Sequence, residues 1–349
     1  MTGAEMNTDL LSQIVAPLLA WFSANKRDLP WRQDREPYHV WLSEIMLQQT
    51  RVEAVKGYYA RFLAAAPDVF ALAALPEAQL MKLWEGLGYY NRARNLHRCA
   101  KELAARGGAF PKTRAELLKL PGIGDYTAGA IASICFDEPV AAVDGNVLRV
   151  CARLLEDDRP VDAPQFRKEL SEALSAVYPK GRCGDFTQAL MELGATVCVP
   201  NGAPNCEGCP IRQVCRARAH NTMLKLPARL PRRGRRQEAH TLFLLRCGNL
   251  TAVEQRPNTG LLAGLWQLPN TGGLLSEAEA GAYLSGLGLG ELRLRSARDG
   301  GHIFTHIEWK LRCYEIECEH APAQFVWASP EELAERYSLP TAFRQFLLL

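Results

Sequence analysis

The hydrophobic period changes once along this chain, near residue 238. Before that point apolar residues recur at the spacing of a helix, first at Leu10, Leu11, Ile14, Leu18, Leu19 and Phe22. After it, the stretch IFTHIEWKLRC alternates in the manner of a half-buried strand, with apolar side chains at Ile303, Ile307, Trp309, Leu311 and Cys313. The change predicts two domains of different class, an all-α domain followed by a smaller α+β domain.

Proline and glycine divide the first part into short segments with helical periodicity. After the first helix, the predicted helices cover residues 38–50, 51–65, 76–85, 92–106, 113–119, 125–136, 145–156, 164–178 and 185–197. In the second part we predict strands at 303–313, 241–246 and 324–327, and helices at 330–337 and in the C-terminal run. Phe304 and His306 fit a loop as readily as a strand. The predicted domains are residues 1–221 and 238–349, joined by a basic, proline-rich linker over 222–237.

Length and composition agree with this division. A chain of 349 residues is long enough for two domains, and its content of 48% hydrophobic and 23% charged residues is typical of a globular protein. No apolar run approaches the roughly 18 residues that a membrane helix needs, and no secretory signal pattern begins the sequence. We therefore expect a cytoplasmic monomer with no membrane partner.

Positive charge is concentrated in one segment, although the net charge is only +3. Residues 211–236 contain nine Lys or Arg and no Asp or Glu. Such a segment is typical either of a polyanion-binding surface or of a solvated linker.

Four cysteines are spaced as C-x7-C-x2-C-x5-C, at Cys198, Cys206, Cys209 and Cys215. Four thiolates within one short segment can bind either a zinc ion or an iron–sulfur cluster. The uneven spacing favours a [4Fe–4S] cluster wrapped by a loop, and a structural role for it.

The stretch LPGIG at residues 120–124 predicts a tight turn between two helices. Gly122 and Gly124 allow positive φ and close approach of another backbone, and the amides at the start of the next helix can bind a phosphate. The stretch resembles the helix-hairpin-helix motif, which binds the DNA backbone without reading sequence. A plain interhelical turn would also accept these glycines.

Two carboxylates stand in contrasting surroundings. Glu44 lies on a helical stretch among apolar neighbours, which predicts a raised pKa and suits a general acid, although a structural glutamate is also compatible. Asp144 directly precedes a helix, where an N-cap role keeps a carboxylate ionised and able to stabilise a cation. A protonated and an ionised carboxyl group together suit cleavage of a glycosidic bond.

These features together resemble the helix-hairpin-helix DNA glycosylase superfamily, endonuclease III branch, and within it the adenine DNA glycosylase family. The stretches that carry the resemblance are LPWR (29–32), WLSEIMLQQT (41–50), GLGYYNRARNL (86–96), LPGIGDYTAGAI (120–131), VDGNVLRV (143–150) and ALMELGATVC (189–198). The second domain is similar to the Nudix-like C-terminal domain of that family through LLAGLWQLP (261–269) and IFTH (303–306). The implied fold is an all-α glycosylase domain with an iron–sulfur loop over 198–215, followed by an α+β Nudix-like domain.

The resemblance implies an activity and a site. The family removes adenine mispaired with 8-oxoguanine or guanine in double-stranded DNA, after the base leaves the stack. Glu44 would protonate adenine N7, Asp144 would stabilise the sugar cation, and Tyr126 and Asn146 would assist. The other implied substrate contacts are the adenine pocket residues Arg27, Trp31, Leu47 and Glu192, the duplex wedges Gln49 and Tyr89, and the lesion-sensing residues Phe304, Thr305 and His306.

Some positions depart from related patterns. Tyr126 stands where strand-cutting relatives carry the lysine that forms a Schiff base, which predicts a monofunctional glycosylase. The first cysteine gap is one residue longer than is usual, and Thr305 replaces the usual serine of the lesion-sensing motif. After residue 269 the chain lacks the acidic array of a Nudix hydrolase, so we expect this domain to bind rather than to hydrolyse nucleotides.

Two other functions remain open at this point. One is an endonuclease III-like glycosylase and lyase that acts on oxidised pyrimidines. The other is a non-catalytic DNA-binding scaffold with a structural cluster.

Overall fold

A computed structural model describes residues 6–231 and 234–347. Two arginines of the predicted linker, Arg232 and Arg233, and the last two residues of the predicted C-terminal helix lie outside the described residues. The chain forms two compact units, one of residues 1–74 and 94–231, the other of 75–93 and 232–349. Residues 75–93, which the sequence analysis places within the helical domain, therefore pack with the second unit.

Helices build the whole described part of the chain up to residue 231, where no strand occurs. They are α1 Thr8–Gln13, α2 Val15–Asn25, a 3₁₀ turn Pro30–Arg32, α3 Pro37–Leu47, α4 Val52–Ala65, α5 Val69–Ala74, α6 Glu77–Leu83, α7 Asn91–Ala105, α8 Arg114–Leu117, α9 Asp125–Phe136, α10 Gly145–Leu155, α11 Pro164–Ala176, α12 Cys183–Thr196 and α13 Arg216–Ala219. The prediction of an all-α first domain is confirmed, with α5 and α13 as helices that the sequence analysis did not predict.

Helix α10 lies at the centre of one large apolar core. Its predicted apolar face is buried, with Val147 and Leu154 both fully inaccessible to solvent. Around it pack the apolar faces of α1, α2, α11 and α12. Helix α12 approaches α10 closely at Gly194, where an added Cβ would lie 2.5 Å from the Cβ of Asn146. The glycine therefore sets the distance between the two helices at the position of a predicted site residue.

The second unit contains a mixed sheet. Its strands are β1 Arg236–Cys247, β2 Leu250–Gln255, β3 Trp266–Gln267, β4 Asn270–Gly272, β5 Leu292–Ile303, β6 Ile307–Cys318 and β7 Val326–Ala328. The order is β3-β2-β1-β6-β5, with β4 paired to β1 and β7 to β2. Strands β1 and β6 run parallel, and the other pairs are antiparallel. Three helices complete the unit: α14 Glu277–Ser285, α15 Pro330–Glu335 and α16 Thr341–Arg344.

Both faces of this sheet are covered by apolar side chains. One cluster joins the sheet to α16 through Trp309, Leu311 and Phe343. The other joins the opposite face to α14 through Phe243, Tyr314 and other residues. The predicted α+β class of this unit is confirmed.

A single strand over 303–313 is wrong, and the loop that the sequence also allowed at Phe304 and His306 is present instead. Strand β5 ends at Ile303 and β6 begins at Ile307, so Phe304, Thr305 and His306 form the turn of a hairpin. The amide of Phe304 donates to the carbonyl of Ile307 (2.8 Å), which closes the turn. Ile303 before the turn is 61% exposed, whereas Ile307 after it packs against the core, so the alternation runs through two strands with different surroundings. No helix among the described residues is long and apolar enough to cross a membrane.

Candidate active site

Glu44 is a buried acid on α3. Only 6% of the residue is exposed, and its helix neighbours Val40 and Trp41 are also buried. Burial raises the pKa of Glu44 to about 7. The hydroxyl of Tyr126, which donates a hydrogen bond to Oε2 of Glu44, lowers the pKa, and the negative charge of Asp144 raises it. The result is a carboxyl group that holds a proton near neutral pH, as the sequence analysis predicts.

Asp144 caps the N-terminus of α10. Its Oδ1 accepts a hydrogen bond from the amide of Val147 (2.7 Å), and its Oδ2 accepts one from Nδ2 of Asn146 (2.7 Å). Burial nevertheless raises the pKa of Asp144, and the two hydrogen bonds oppose this rise. The sequence analysis predicts an ionised Asp144 from its N-cap position, but it does not predict the burial that raises the pKa of this acid.

Tyr126 donates a hydrogen bond to Glu44 and lies close enough to Asp144 to be affected by its charge. It lies in the first turn of α9, and its pKa rises well above the usual value through burial and through the charges of Glu44 and Asp144. Residues separated by more than eighty positions in sequence therefore share one buried region. The predicted set of Glu44, Asp144, Tyr126 and Asn146 is brought together.

A third acid, Glu192 of α12, is held as an anion. Oε1 accepts hydrogen bonds from Nε of Arg27 (2.7 Å) and from the Arg27 amide (3.0 Å), while Oε2 accepts from an Nη of Arg27 (2.9 Å) and of Arg32 (2.8 Å). Burial alone would raise the pKa of Glu192, but these hydrogen bonds outweigh it and lower the pKa to about 2. Arg32 also lowers the pKa of Glu44 by its charge. Arg27 and Glu192, which were both predicted to line the adenine pocket, therefore form an ion pair. Arg32, which the sequence analysis missed, pairs with the same carboxylate.

The other two residues predicted for the adenine pocket are Trp31 and Leu47. Trp31 is buried and packs edge-on against Tyr59, with ring centroids 5.6 Å apart. Leu47 is the half-buried last residue of α3. The signal for Arg32 was present in the sequence, since it ends the LPWR stretch directly after Trp31.

Arg149 is a further residue that the sequence analysis did not single out. It lies one helical turn after Asn146 and is only 5% exposed. Its guanidinium donates to Oδ1 of Asn146 (2.8 Å) and to the carbonyl of Cys198 (2.7 Å). It fixes the amide orientation with which Asn146 donates to Asp144. A charged residue on an otherwise apolar helix was the available signal.

The predicted hairpin joins α8 to α9. Gly122 has φ +75°, and an added Cβ there would overlap Asn95. Gly124 caps α9 with φ −95°, and a Cβ there would meet open space. The expectation of positive φ is therefore correct at Gly122 and wrong at Gly124. Gly124 instead leaves the first turn of α9 uncovered, where amide groups point outward.

Gln49 and Tyr89 are the two predicted duplex wedges, and each has a left-handed backbone. Gln49 follows α3 with φ +59° and is exposed, and Tyr89 has φ +49° with 51% of the residue exposed. Such conformations are costly for residues other than glycine and tend to occur at functional sites. Gln49 belongs to the first unit and Tyr89 to the second.

The residues predicted to sense the lesion form a turn in the second unit. Phe304 packs edge-on against Trp309, with centroids 4.9 Å apart, while Thr305 and His306 are exposed. The Oγ1 of Thr305 lies 3.2 Å from the hydroxyl of Tyr89, within hydrogen-bond distance. Residues 75–93 and the turn therefore present two polar groups side by side.

The four predicted cysteine ligands line one cavity in the first unit, together with Val150, Leu193 and Ile211. Arg153, which is 4% exposed, places an Nη 3.2 Å from Sγ of Cys198 and donates to the carbonyl of Val199 (3.0 Å). A buried guanidinium beside a sulfur atom suits a centre that carries anionic thiolates.

Over residues 6–231 and 234–347, no three His, Cys, Asp or Glu side chains are arranged to hold a metal ion. The four cysteines nevertheless share one cavity beside the guanidinium of Arg153, and such a lining fits a group with anionic thiolate ligands.

Comparison with known proteins agrees with this geometry. A model of the HhH-GPD superfamily of base excision DNA repair proteins matches residues 42–176, and a NUDIX domain model matches residues 241–349. An adenine DNA glycosylase of Mus musculus is 36% identical in an alignment of 365 positions that covers 88% of this chain and 71% of the relative. An adenine DNA glycosylase of Buchnera aphidicola (subspecies Baizongia pistaciae) is 34% identical over 72% of each chain.

Two solved structures resemble the helical part. A thermostable thymine-DNA glycosylase has a TM-score of 0.55 and 30% identity, and covers 61% of this chain and 98% of its own. A non-covalent endonuclease III–DNA complex has a TM-score of 0.52 and 25% identity, and covers 62% and 98%.

A helical domain with a glycine hairpin, two buried acids and a cysteine loop, joined to a Nudix-like domain, defines a base excision repair glycosylase of the helix-hairpin-helix superfamily. The extent of the match to the mouse relative narrows the class further. The chain belongs to the adenine DNA glycosylase family.

Proposed function

We propose that this protein is a monofunctional glycosylase that removes adenine opposite 8-oxoguanine or guanine in duplex DNA and leaves an abasic site. The observation that carries the proposal is the shared buried site of Glu44, Tyr126 and Asp144. The activity in the names of its relatives supports the choice of adenine as the released base.

Glu44 is the proton donor in this proposal. With a pKa of about 7 it is substantially protonated under physiological conditions. Transfer of that proton to N7 of an extruded adenine lets the base leave with the electron pair of the glycosidic bond. The hydrogen bond from Tyr126 fixes the orientation of the carboxyl group.

Asp144 is the group that stabilises the sugar. As the bond breaks, the sugar acquires the charge of an oxocarbenium ion, and a nearby carboxylate lowers the energy of that state. The hydrogen bonds from Val147 and Asn146 favour the ionised form that this role requires. Water then completes the reaction at the sugar carbon.

The pocket proposed for adenine is formed by Arg27, Trp31, Leu47 and Glu192. Since both oxygens of Glu192 are occupied by arginines, the acid holds those guanidinium groups in place. Trp31 supplies a flat apolar surface suited to a purine ring.

Recognition of the duplex is assigned to several surfaces. The amides of the hairpin at Gly122 and Gly124 would bind backbone phosphate. Gln49 and Tyr89 would occupy the space that the extruded base leaves. Phe304, Thr305 and His306 would read 8-oxoguanine on the opposite strand.

Cys198, Cys206, Cys209 and Cys215 would hold a [4Fe–4S] cluster. When bound, it would supply structural stabilisation of the loop rather than a step of base release. An absorption spectrum of anaerobically purified protein tests this assignment, because a zinc centre would give no visible band.

A single-turnover assay on full-length protein tests the function. Duplexes containing adenine opposite 8-oxoguanine, guanine or thymine should release adenine rapidly from the first two and negligibly from the third. Binding without release would support the scaffold. A covalent adduct trapped by borohydride would support the lyase. Tyr126 cannot form such an adduct because its side chain has no amine.

A further inference from the structure

Two strands of the second unit end side by side in cysteine. Cys247 is the last residue of β1, and Cys318 is the last residue of β6. The parallel register pairs Arg246 with Glu317, so the next two residues, Cys247 and Cys318, are neighbours across the strands. Both side chains face the apolar cluster beneath α14.

The spacing of this pair suits a covalent bond. Neighbouring strands lie about 4.8 Å apart, and disulfides join residues whose Cα atoms are about 4.4–6.8 Å apart. Each thiol already reaches toward the other strand: Sγ of Cys318 donates to the carbonyl of Arg246 (3.3 Å), and Sγ of Cys247 donates to the carbonyl of Glu319 (3.6 Å).

The two thiols differ in accessibility. Cys318 is 8% exposed, and burial together with the neighbouring Cys247 raises its pKa to about 11. Cys247 is half-buried, so a small oxidant can reach it. This difference suits Cys247 for the first attack and Cys318 for the second.

We propose that Cys247 and Cys318 form a modification site that a small peroxide closes into a reversible disulfide. The Cys247 thiolate attacks one peroxide oxygen, which gives a sulfenic acid and, with a proton, one molecule of water. The Cys318 sulfur then attacks the Cys247 sulfur and displaces hydroxide, which takes the Cys318 proton and leaves as a second water. Two thiols are oxidised to one disulfide, and one hydrogen peroxide is reduced to two waters.

The site lies far from the lesion-sensing turn. Strand β6 begins next to that turn, at Ile307, and the cysteine pair lies at the other end of the same strand. The disulfide would therefore link the C-terminal ends of β1 and β6, at the edge of the sheet away from the turn. We expect it to stabilise the sheet against unfolding, because it restricts a long segment of the unfolded chain.

Peptide mapping of the full-length protein tests the proposal. After treatment with one equivalent of hydrogen peroxide, the remaining thiols are alkylated under denaturing conditions and the protein is digested with trypsin. The expected product links the peptide that begins at Cys247 to the peptide that contains Cys313 and Cys318, two hydrogens lighter than the sum, and separates on treatment with dithiothreitol. Fragmentation should place the bond at Cys318.

Two variants sharpen the result. Cys247→Ser should abolish the linked peptide, whereas Cys313→Ser should retain it, since Cys313 is buried in the cluster on the opposite face. Oxidised wild type should also unfold at a higher urea concentration than oxidised Cys247→Ser. Recovery of Cys247 as a free thiol or as sulfinic acid in the wild-type map, or a bond from Cys247 to Cys313, would overturn the proposal.

Discussion

Burial destabilises the charged form of Glu44 more than the hydrogen bond from Tyr126 stabilises it. The pKa of Glu44 is therefore raised, and the side chain keeps a proton near neutral pH. Replacement by glutamine keeps the shape of the side chain and removes the proton. Glu44→Gln should therefore bind mispaired duplex as wild type does and release adenine at least about a hundredfold more slowly, in line with the usual contribution of a general acid. Single-turnover rates and equilibrium binding measure the two effects separately.

Glu172→Gln is the matched control for this change. Glu172 lies on α11 in the same unit and is exposed. It should leave both rate and affinity unchanged. Fast adenine release by Glu44→Gln would disprove the proton-donor role.

The effect of Tyr126 on the pKa of Glu44 should be visible in the pH dependence of base release. A donor with a pKa of about 7 is protonated below that pH and loses its proton above it, so the rate of base release should fall on the alkaline side. The Tyr126 hydroxyl lowers the pKa of Glu44, so Tyr126→Phe should move this alkaline limb to higher pH, besides any change in maximum rate. Single-turnover rates across neutral and alkaline pH measure the shift.

Tyr283→Phe, at an exposed position in the second unit, should keep the wild-type profile. A Tyr126→Phe profile that falls at the same pH as wild type, or at a lower one, would contradict the assignment of the alkaline limb to Glu44.

The residue types of this site could be predicted from the sequence more readily than their environment. The helical position of Glu44 and the helix-start position of Asp144 were visible as patterns. The burial that raises the pKa of Asp144 was not, because it depends on side chains from other helices. Arg32 and Arg149 were missed for the same reason, since their importance lies in the carboxylate and amide that they contact.

At the scale of one element, alanine substitutions at the two glycines of the hairpin should have different effects: one on stability, the other on DNA binding. Gly122→Ala forces a side chain into a left-handed position and against Asn95, so it should lower the free energy of unfolding by about 1–3 kcal/mol. Gly124→Ala meets open space at an ordinary backbone angle and should leave stability close to wild type. Urea denaturation of both variants measures the difference.

DNA affinity gives the second half of this comparison. If the backbone of a duplex approaches the start of α9, the methyl group of Gly124→Ala should weaken binding despite normal folding. Equal losses of stability in the two variants would refute the role given to the backbone angle at Gly122, and unchanged affinity in Gly124→Ala would refute close approach at Gly124.

Elements with a strong period were predicted well, and elements made by the tertiary structure were not. Helices such as α9 and α10 were found because proline, glycine and apolar spacing mark them locally. Strand β5 was missed because its arginines and its Gly300–Gly301 pair suppress the usual strand pattern, and its order comes from pairing with β6. The pairing of β5 with β6 also places a turn at Phe304, which the apolar alternation alone does not reveal.

At the scale of the whole molecule, the proposed function divides between the two units. The first unit contains both acids and the hairpin, and the second contains Tyr89 and the turn that is proposed to recognise the lesion. Base release and recognition of the opposite base should therefore respond to different substitutions, because no residue is shared between them.

A catalytically impaired background makes this division measurable in the full-length chain. In Glu44→Gln, adenine should persist long enough for equilibrium binding to duplexes with 8-oxoguanine or guanine opposite it. Adding His306→Ala should reduce the ratio of the two affinities, since His306 is exposed on the turn and is assigned to the oxidised base. His320→Ala, at an exposed histidine beyond the end of β6, should leave the ratio unchanged. Equal weakening of both duplexes by His306→Ala would show that this side chain contributes general affinity, and recognition of the oxidised base would then have to come from other residues.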